Sequence, residues 1–223
     1  TMNMPIYKIA SFEINDIPLI RYVAKKHKPM IISTGVADLD DIQLALDTCY
    51  KEGNYDISLL KCTSEYPATY EQANLLTIPD MIHRFGIPVG VSDHTMGSLV
   101  PIVAVSLGAT IVEKHFILSR TNGGPDSAFS MEPNEFREMV DSIRNVERAL
   151  GNVKYDITDY QRGKRRSLYA RTDIHCGDVF TDQNVGSYRP GVGLSPQYWD
   201  QIMGKTCKRE IVKGDVLRQE DLK

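Results

Sequence analysis

No stretch of this 223-residue sequence approaches the roughly 18 consecutive apolar residues that cross a membrane. The first twenty residues also lack the basic-then-apolar pattern of a secretory leader, so a cytoplasmic setting is expected. Cysteine is scarce, and Cys49, Cys62, Cys176 and Cys207 stand far apart with no CxxC pair. That spacing excludes a zinc ribbon and a disulfide framework and leaves reduced thiols. An excess of charge of either sign is also missing, with 26 Lys/Arg against 29 Asp/Glu and a net −3. Residues 1–151 carry 13 Lys/Arg against 19 Asp/Glu and the remainder 13 against 10, too mild an excess for a nucleic-acid binder. The one strongly basic run, Arg162 to Arg166, has no interleaved aromatics and reads as a solvated cluster. Tryptophan occurs once, at Trp199, expected in the core of a small domain.

What is present is a rhythm. Short β-rich runs, Tyr7 to Ser11, Pro29 to Thr34, Ile57 to Thr63, Pro88 to Ser92 and Thr110 to His115, alternate with helical stretches near 16–27, 38–52, 77–85, 98–108 and 133–150. Asp38 is placed to cap the second helix and Gly151 to close the last. Strand–helix units at this spacing make a parallel sheet with crossover helices. The strands are apolar until their last residues, where Ser11 and Glu13, Ser33 and Thr34, Thr63 and Ser64, Ser92 and His94, and Glu113 and His115 turn polar. Polar groups gathered at every carboxyl end favour a (β/α)8 TIM barrel over an open doubly wound sheet, in which only the switch point needs them.

A closed barrel needs eight such units, and residues 1–151 supply five. A free half-barrel would leave two strand edges unpaired, so the chain is expected to be a piece of a longer barrel. Beyond Gly151 the pattern changes. A polar stretch without period, 152–164, is expected to be a linker, and short strands punctuated by glycine over 165–223, beginning at Arg165, are expected to form a small β-rich domain.

Two histidines carry the chemistry. His94 and His115 each close an apolar run, and if those runs are neighbouring parallel strands the imidazoles meet at one mouth as a divalent-metal site with open positions. A lone histidine is more often a rim residue satisfied by backbone, but two at successive strand ends, with Asp93 and Glu113 beside them, are not so easily dismissed. Asp93 could orient an imidazole only if the strand bends, because adjacent residues point to opposite faces. Lys8 and Ser11 face the same difficulty, since strict alternation places them on opposite faces.

Six ordered motifs carry a resemblance across nearly the whole chain: Lys8-Ile-Ala-Ser11-Phe-Glu13, Ile32-Ser33-Thr34-Gly35, Leu60-Lys-Cys62-Thr63-Ser64-Glu-Tyr66-Pro67, Gly90-Val-Ser92-Asp93-His94-Thr95, Glu113-Lys-His115-Phe116 and Gly124-Pro125-Asp126. They are similar to the strand-end motifs of the sialic acid synthase family, also known as N-acetylneuraminate synthase-like proteins. Arg165-Arg166-Ser167-Leu168 and Arg189-Pro190-Gly191-Val-Gly193 resemble that family's antifreeze-like (SAF, β-clip) domain. Within the family, Gly123 to Ser130 looks most like the pseudaminic acid synthases.

The resemblance implies a transferase that condenses phosphoenolpyruvate with an N-acetylated amino sugar. For the pseudaminic branch the sugar is 2,4-diacetamido-2,4,6-trideoxy-altrose, and the products are pseudaminic acid and phosphate. N-acetylneuraminate and legionaminate synthases are the alternatives within the family. It implies that His94 and His115 hold a metal, manganese with magnesium or cobalt as substitutes, and that Lys8, Ser11, Ser33 and Ser92 bind phosphoenolpyruvate. Ser64, Tyr66 and Asp126 would bind the sugar, and Glu13 would transfer a proton or bind a sugar hydroxyl. Arg189 would reach the sugar's N-acetyl group from the other subunit of a domain-swapped homodimer. A Schiff-base aldolase using Lys8, Lys61 or Lys114 is a second enzyme reading. A non-catalytic sugar-binding fragment is a third.

Overall fold

The computed structural model describes residues 3–222. They divide into two compact units, Thr1–Asn152 and Val153–Lys223. In the first, five parallel strands, β1 (Tyr7–Ile9), β2 (Met30–Ser33), β3 (Ile57–Cys62), β4 (Val89–Asp93) and β5 (Val112–Lys114), lie side by side in chain order. Helices α1 (Ile17–Ala24), α2 (Leu39–Lys51), α3 (Thr77–Phe85) and α4 (Leu99–Ser106) connect them, and α5 (Pro133–Leu150) follows the last strand. This is a half-barrel, strand followed by helix, each next strand added on the same side.

Helix starts follow local chemistry. The Asp38 carboxylate accepts from Asp41 N at 2.9 Å while Asp41 accepts from the Asp38 amide, a reciprocal cap at the position expected from sequence. Pro133 opens α5 behind a second such cap between Glu132 and Glu135. Gly86 ends α3 with φ +64°, a left-handed conformation that a side chain would penalise.

Register assigns the faces. In a parallel sheet, paired residues point the same way. Ile9, Met30, Ile32, Ile57, Leu59, Val89 and Val91 share one face and are buried against Ile20, Leu46, Ile78 and Met81 of the helices. The opposite, inner face carries Lys8, Ser33, Cys62, Ser92 and Glu113. Apolar packing therefore fixes which side the polar groups occupy. A Cβ on Gly90 would lie 2.4 Å from Ile111 O and 2.7 Å from Leu60 Cδ2, so only glycine lets β4 sit this close to its neighbours on the inner side.

Three elements depart from the sequence expectation. β1 ends at Ile9, and Ser11 lies in a 3-10 turn, Ser11–Glu13, which removes the alternation problem between Lys8 and Ser11. The 152–164 stretch is not irregular throughout, because Thr158 and Gln161 cap a short helix, α6 (Asp159–Gly163). The strand expected from Arg165 begins at Ser167, as β6 (Ser167–Ala170), which pairs antiparallel with β7 (Val185–Tyr188). The core of this second unit is Leu168, Ile174, Phe180, Val185 and Leu217, with Trp199 packed against it as expected. Among the described residues no helix is long and apolar enough to cross a membrane.

Candidate active site

His94 and His115 each stand one residue beyond the end of β4 and β5. Their ring centroids are 5.1 Å apart with planes at 70°. His94 Nδ1 lies 2.7 Å from the Thr63 carbonyl oxygen, which can only accept, so Nδ1 carries the hydrogen and Nε2 keeps its lone pair. His115 Nδ1 lies 3.5 Å from Asp126 Oδ2. The His94 ring is thus held through Nδ1, and the His115 ring stands beside the Asp126 carboxylate. This is the chemistry a two-imidazole metal site requires. Among the described residues no group of three or more His, Cys, Asp and Glu is arranged to hold a metal, so any cation here would take its remaining positions from water or substrate.

Below the imidazoles the inner face is polar. Glu113 Oε1 accepts from Lys8 Nζ at 3.1 Å and from Ser92 Oγ at 2.7 Å, tying the first strand to the fourth and fifth. Ser11 Oγ accepts from Gly35 N at 3.0 Å. Ser33 Oγ is buried without a hydrogen-bond partner among the described residues. Cys62 sits at the centre of this floor. Burial raises its thiol pKa, but hydrogen bonding with His94, Ser11, Ser92 and Ser64 outweighs that and brings it down to about 7. At His94, burial works against the charged ring, yet Cys62 and the Thr63 carbonyl raise its pKa overall, whereas burial and the neighbouring His94 lower that of His115.

Aromatic rings wall the imidazoles. Tyr66 lies 4.2 Å from His94 and 6.0 Å from Phe129, and Phe129, buried, is 5.0 Å from His115. The loop bearing Tyr66 is held in place by Ala68 N donating to the His94 carbonyl at 3.0 Å.

The structure thus gathers Lys8, Ser11, Ser33, Ser64, Tyr66, Ser92, His94, His115 and Asp126 at one end of the half-barrel. Glu13 lies in the 3-10 turn that starts at Ser11, half-buried. Arg189 is exposed and belongs to the second unit. One expectation is corrected: Asp93 hydrogen-bonds to neither imidazole. Asp93 points to the opposite face, where Lys114 Nζ donates to it at 2.5 Å. Residues to which the motifs assign no binding role also belong here. Glu113 stands two residues before His115 and Cys62 pairs with Ser92, so alternation and register place both on the inner face.

Gly35 is a third such residue. A Cβ there would fall 2.2 Å from Ser64 Oγ, 2.9 Å from Ser11 Oγ and 3.1 Å from Cys62 Sγ. The three side chains converge only because this position has none.

A parallel half-barrel with its polar groups at the carboxyl ends and two facing imidazoles is the arrangement found where barrel folds of the (β/α)8 class place their sites. Residues 1–155 match the NeuB family and residues 165–223 match the SAF domain. The chain belongs to the NeuB family. It is 42% identical over 220 residues to the pseudaminic acid synthase of Campylobacter jejuni subsp. jejuni serotype O:23/36, covering 97% of this chain and 64% of that protein. It is 35% identical over 224 residues to an N,N'-diacetyllegionaminic acid synthase of Campylobacter jejuni serotype O:2, covering 98% and 67%. The solved N-acetylneuraminic acid (sialic acid) synthetase of Leptospira borgpetersenii superposes with a TM-score of 0.67 at 33% identity, over 72% of this chain and 56% of that one. The chain spans about 64% of the length of the pseudaminic acid synthase it matches.

Proposed function

We propose that this chain carries the strand-end site of a nonulosonic acid synthase, in which phosphoenolpyruvate and 2,4-diacetamido-2,4,6-trideoxy-altrose condense with water to give pseudaminic acid and phosphate. The observation that carries this reading is the pair of facing imidazoles, ring centroids 5.1 Å apart, above a floor of hydroxyls and one lysine. In balanced form, C3 of phosphoenolpyruvate bonds to the sugar's aldehyde carbon, water adds at C2, and phosphate leaves as C2 becomes the ketone. His94 and His115 would hold a divalent cation, manganese in this reading, which would supply Lewis-acid polarisation of the aldehyde oxygen.

The rest is the work of side chains. Lys8 supplies a cation, and Ser11, Ser33 and Ser92 supply hydroxyls, for the phosphate and carboxylate of phosphoenolpyruvate. Glu113 holds Lys8 and Ser92 at fixed spacing. Glu13 accepts or delivers a proton or binds a sugar hydroxyl, and Ser64 and Asp126 bind others. Tyr66 and the buried Phe129 present an apolar wall, which suits a sugar ending in a methyl group rather than a hydroxymethyl. Arg189, from the second domain of the partner in a domain-swapped homodimer, binds the N-acetyl group. Arg189→Ala is then expected to raise the KM for the sugar by roughly tenfold or more, the loss of one charge-assisted hydrogen bond, with little change for phosphoenolpyruvate. Initial-rate kinetics with each substrate varied in turn check this.

The Schiff-base reading is disfavoured by where the amines are. Lys61 and Lys114 lie on the other face of the sheet, Lys61 bonded to the Cys62 carbonyl and Thr63 Oγ1 and Lys114 to Asp93, while Lys8 is paired with Glu113. Borohydride with substrates present is expected to trap no adduct. The reaction itself is tested by incubating the protein with phosphoenolpyruvate and a panel of acetamido sugars while following phosphate. Fastest release with the diacetamido-trideoxy sugar is expected. Fastest release with N-acetylmannosamine would shift the reading to a neuraminate synthase, and no sugar-dependent release with any member would leave only a binding role.

A further inference from the structure

Behind the two imidazoles, on the helix-covered face of the sheet, Lys114 and Asp93 form an ion pair whose side chains are each 1% exposed. Asp93 immediately precedes His94, Lys114 immediately precedes His115, and the two are register partners on adjacent strands. The Lys114 ammonium donates to Asp93 Oδ2 at 2.5 Å and to the Thr95 carbonyl at 2.5 Å, while Asp93 Oδ1 accepts from Thr95 N at 2.8 Å. Both residues flanking His94 are therefore fastened to one ammonium, and that ammonium belongs to the residue before His115.

We propose that Lys114 and Asp93 are positioning residues, a buried clamp that sets the separation and facing of the two imidazoles and thereby the affinity of the site for a divalent cation. The proposal rests on the metal reading of His94 and His115 given above. Desolvating a full ammonium and carboxylate is costly, and a hydrophobic pair of the same size would pack this layer at least as well, so stability alone gives little reason for charges here. Register does. The ammonium reaches the carboxylate and the Thr95 carbonyl together only when the two strand ends stand at one spacing, because its reach is limited and both acceptors are fixed to the backbone around His94. Each strand end turns its histidine to the inner face and its clamp residue to the outer one, so locking the back also locks the front.

The test is Mn2+ binding alone, followed by loss of the free-ion electron paramagnetic resonance signal, so that no turnover is needed. In D93N/K114M the carboxamide keeps the acceptor for Thr95 N and the methionine keeps the volume, while both charges are gone. This variant is expected to hold a melting temperature near that of the wild type and to bind Mn2+ ten- to a hundredfold more weakly, the usual cost of removing support behind a metal ligand. V91A, two residues earlier on the same covered face, destabilises the same layer without touching the clamp and is expected to leave Mn2+ affinity unchanged. K114Q, one atom shorter but still a donor, is the second variant should the double substitution not fold, with a loss of about fivefold or more expected. Wild-type affinity in folded D93N/K114M, or in K114Q where only that folds, would overturn the clamp. A wild-type protein that binds no Mn2+ would overturn the metal reading and the clamp with it, whereas wild-type binding with an unaffected variant overturns the clamp alone.

Discussion

Replacing His94 by alanine is expected to lower metal-dependent turnover by about three orders of magnitude or more while the protein stays folded. Polarising an aldehyde oxygen for attack by a weak carbon nucleophile is worth several kcal/mol, and each 1.36 kcal/mol is about tenfold in rate. The structural cost is smaller. His94 stands just beyond the last residue of β4, buried, bonded through Nδ1 to the Thr63 oxygen and packed against Tyr66. Losing that bond and packing costs about 2–3 kcal/mol. His115→Ala should match it in rate with a smaller effect on stability, because that ring is 30% exposed. Rates with and without added Mn2+, set beside thermal melts, check both. Normal turnover in His94→Ala would remove the metal assignment.

Gly35→Ala is expected to produce the second-largest effect, and it would reach the phosphoenolpyruvate side of the site. Gly35 has no positive φ, so the backbone tolerates alanine and the penalty is purely spatial. The new methyl group would overlap Ser64 Oγ at 2.2 Å and press on Ser11 Oγ and Cys62 Sγ. Overpacking of this kind costs about 1–3 kcal/mol. Here it is also expected to turn Ser11 away from the Gly35 amide and to raise the KM for phosphoenolpyruvate about tenfold or more, as loss of an oriented hydroxyl would. Gly163 provides the control: a Cβ there meets nothing within 4 Å, so Gly163→Ala should leave both kinetics and stability close to wild type.

Much of this architecture is written in local chemistry. Asp38 caps its helix where sequence places it, α5 spans 133–150 as its capping residues and Gly151 dictate, and the five strands lie where the apolar runs do. Local signals are weaker where a turn has no marker residue. Ile9 to Ser11 gives no sign that the strand stops and a 3-10 turn begins, and five residues of α6 are too few to show a hydrophobic period, even though Thr158 and Gln161 form a recognisable cap. The site divides in the same way. His94 and His115 are legible because each closes a strand, and Glu113 follows from a spacing of two. The partnership of Asp93 with Lys114 needs the register between strands, which no single segment encodes. The opening at Gly35 depends on side chains from two other segments, Ser11 in its 3-10 turn and Cys62 and Ser64 at the end of β3, so sequence shows the glycine but not what it makes room for. Arg189 is visible only through family likeness, since an arginine before Pro190 has no distinctive local chemistry.

The most direct test of the two-imidazole site is anomalous diffraction from crystals of the protein grown with Mn2+. A single manganese peak within about 2.2 Å of Nε2 of both His94 and His115, in the range of ordinary metal–imidazole bonds, is the expected result. A peak bound to only one of the rings, or manganese bound elsewhere with the two Nε2 atoms turned apart, would contradict it.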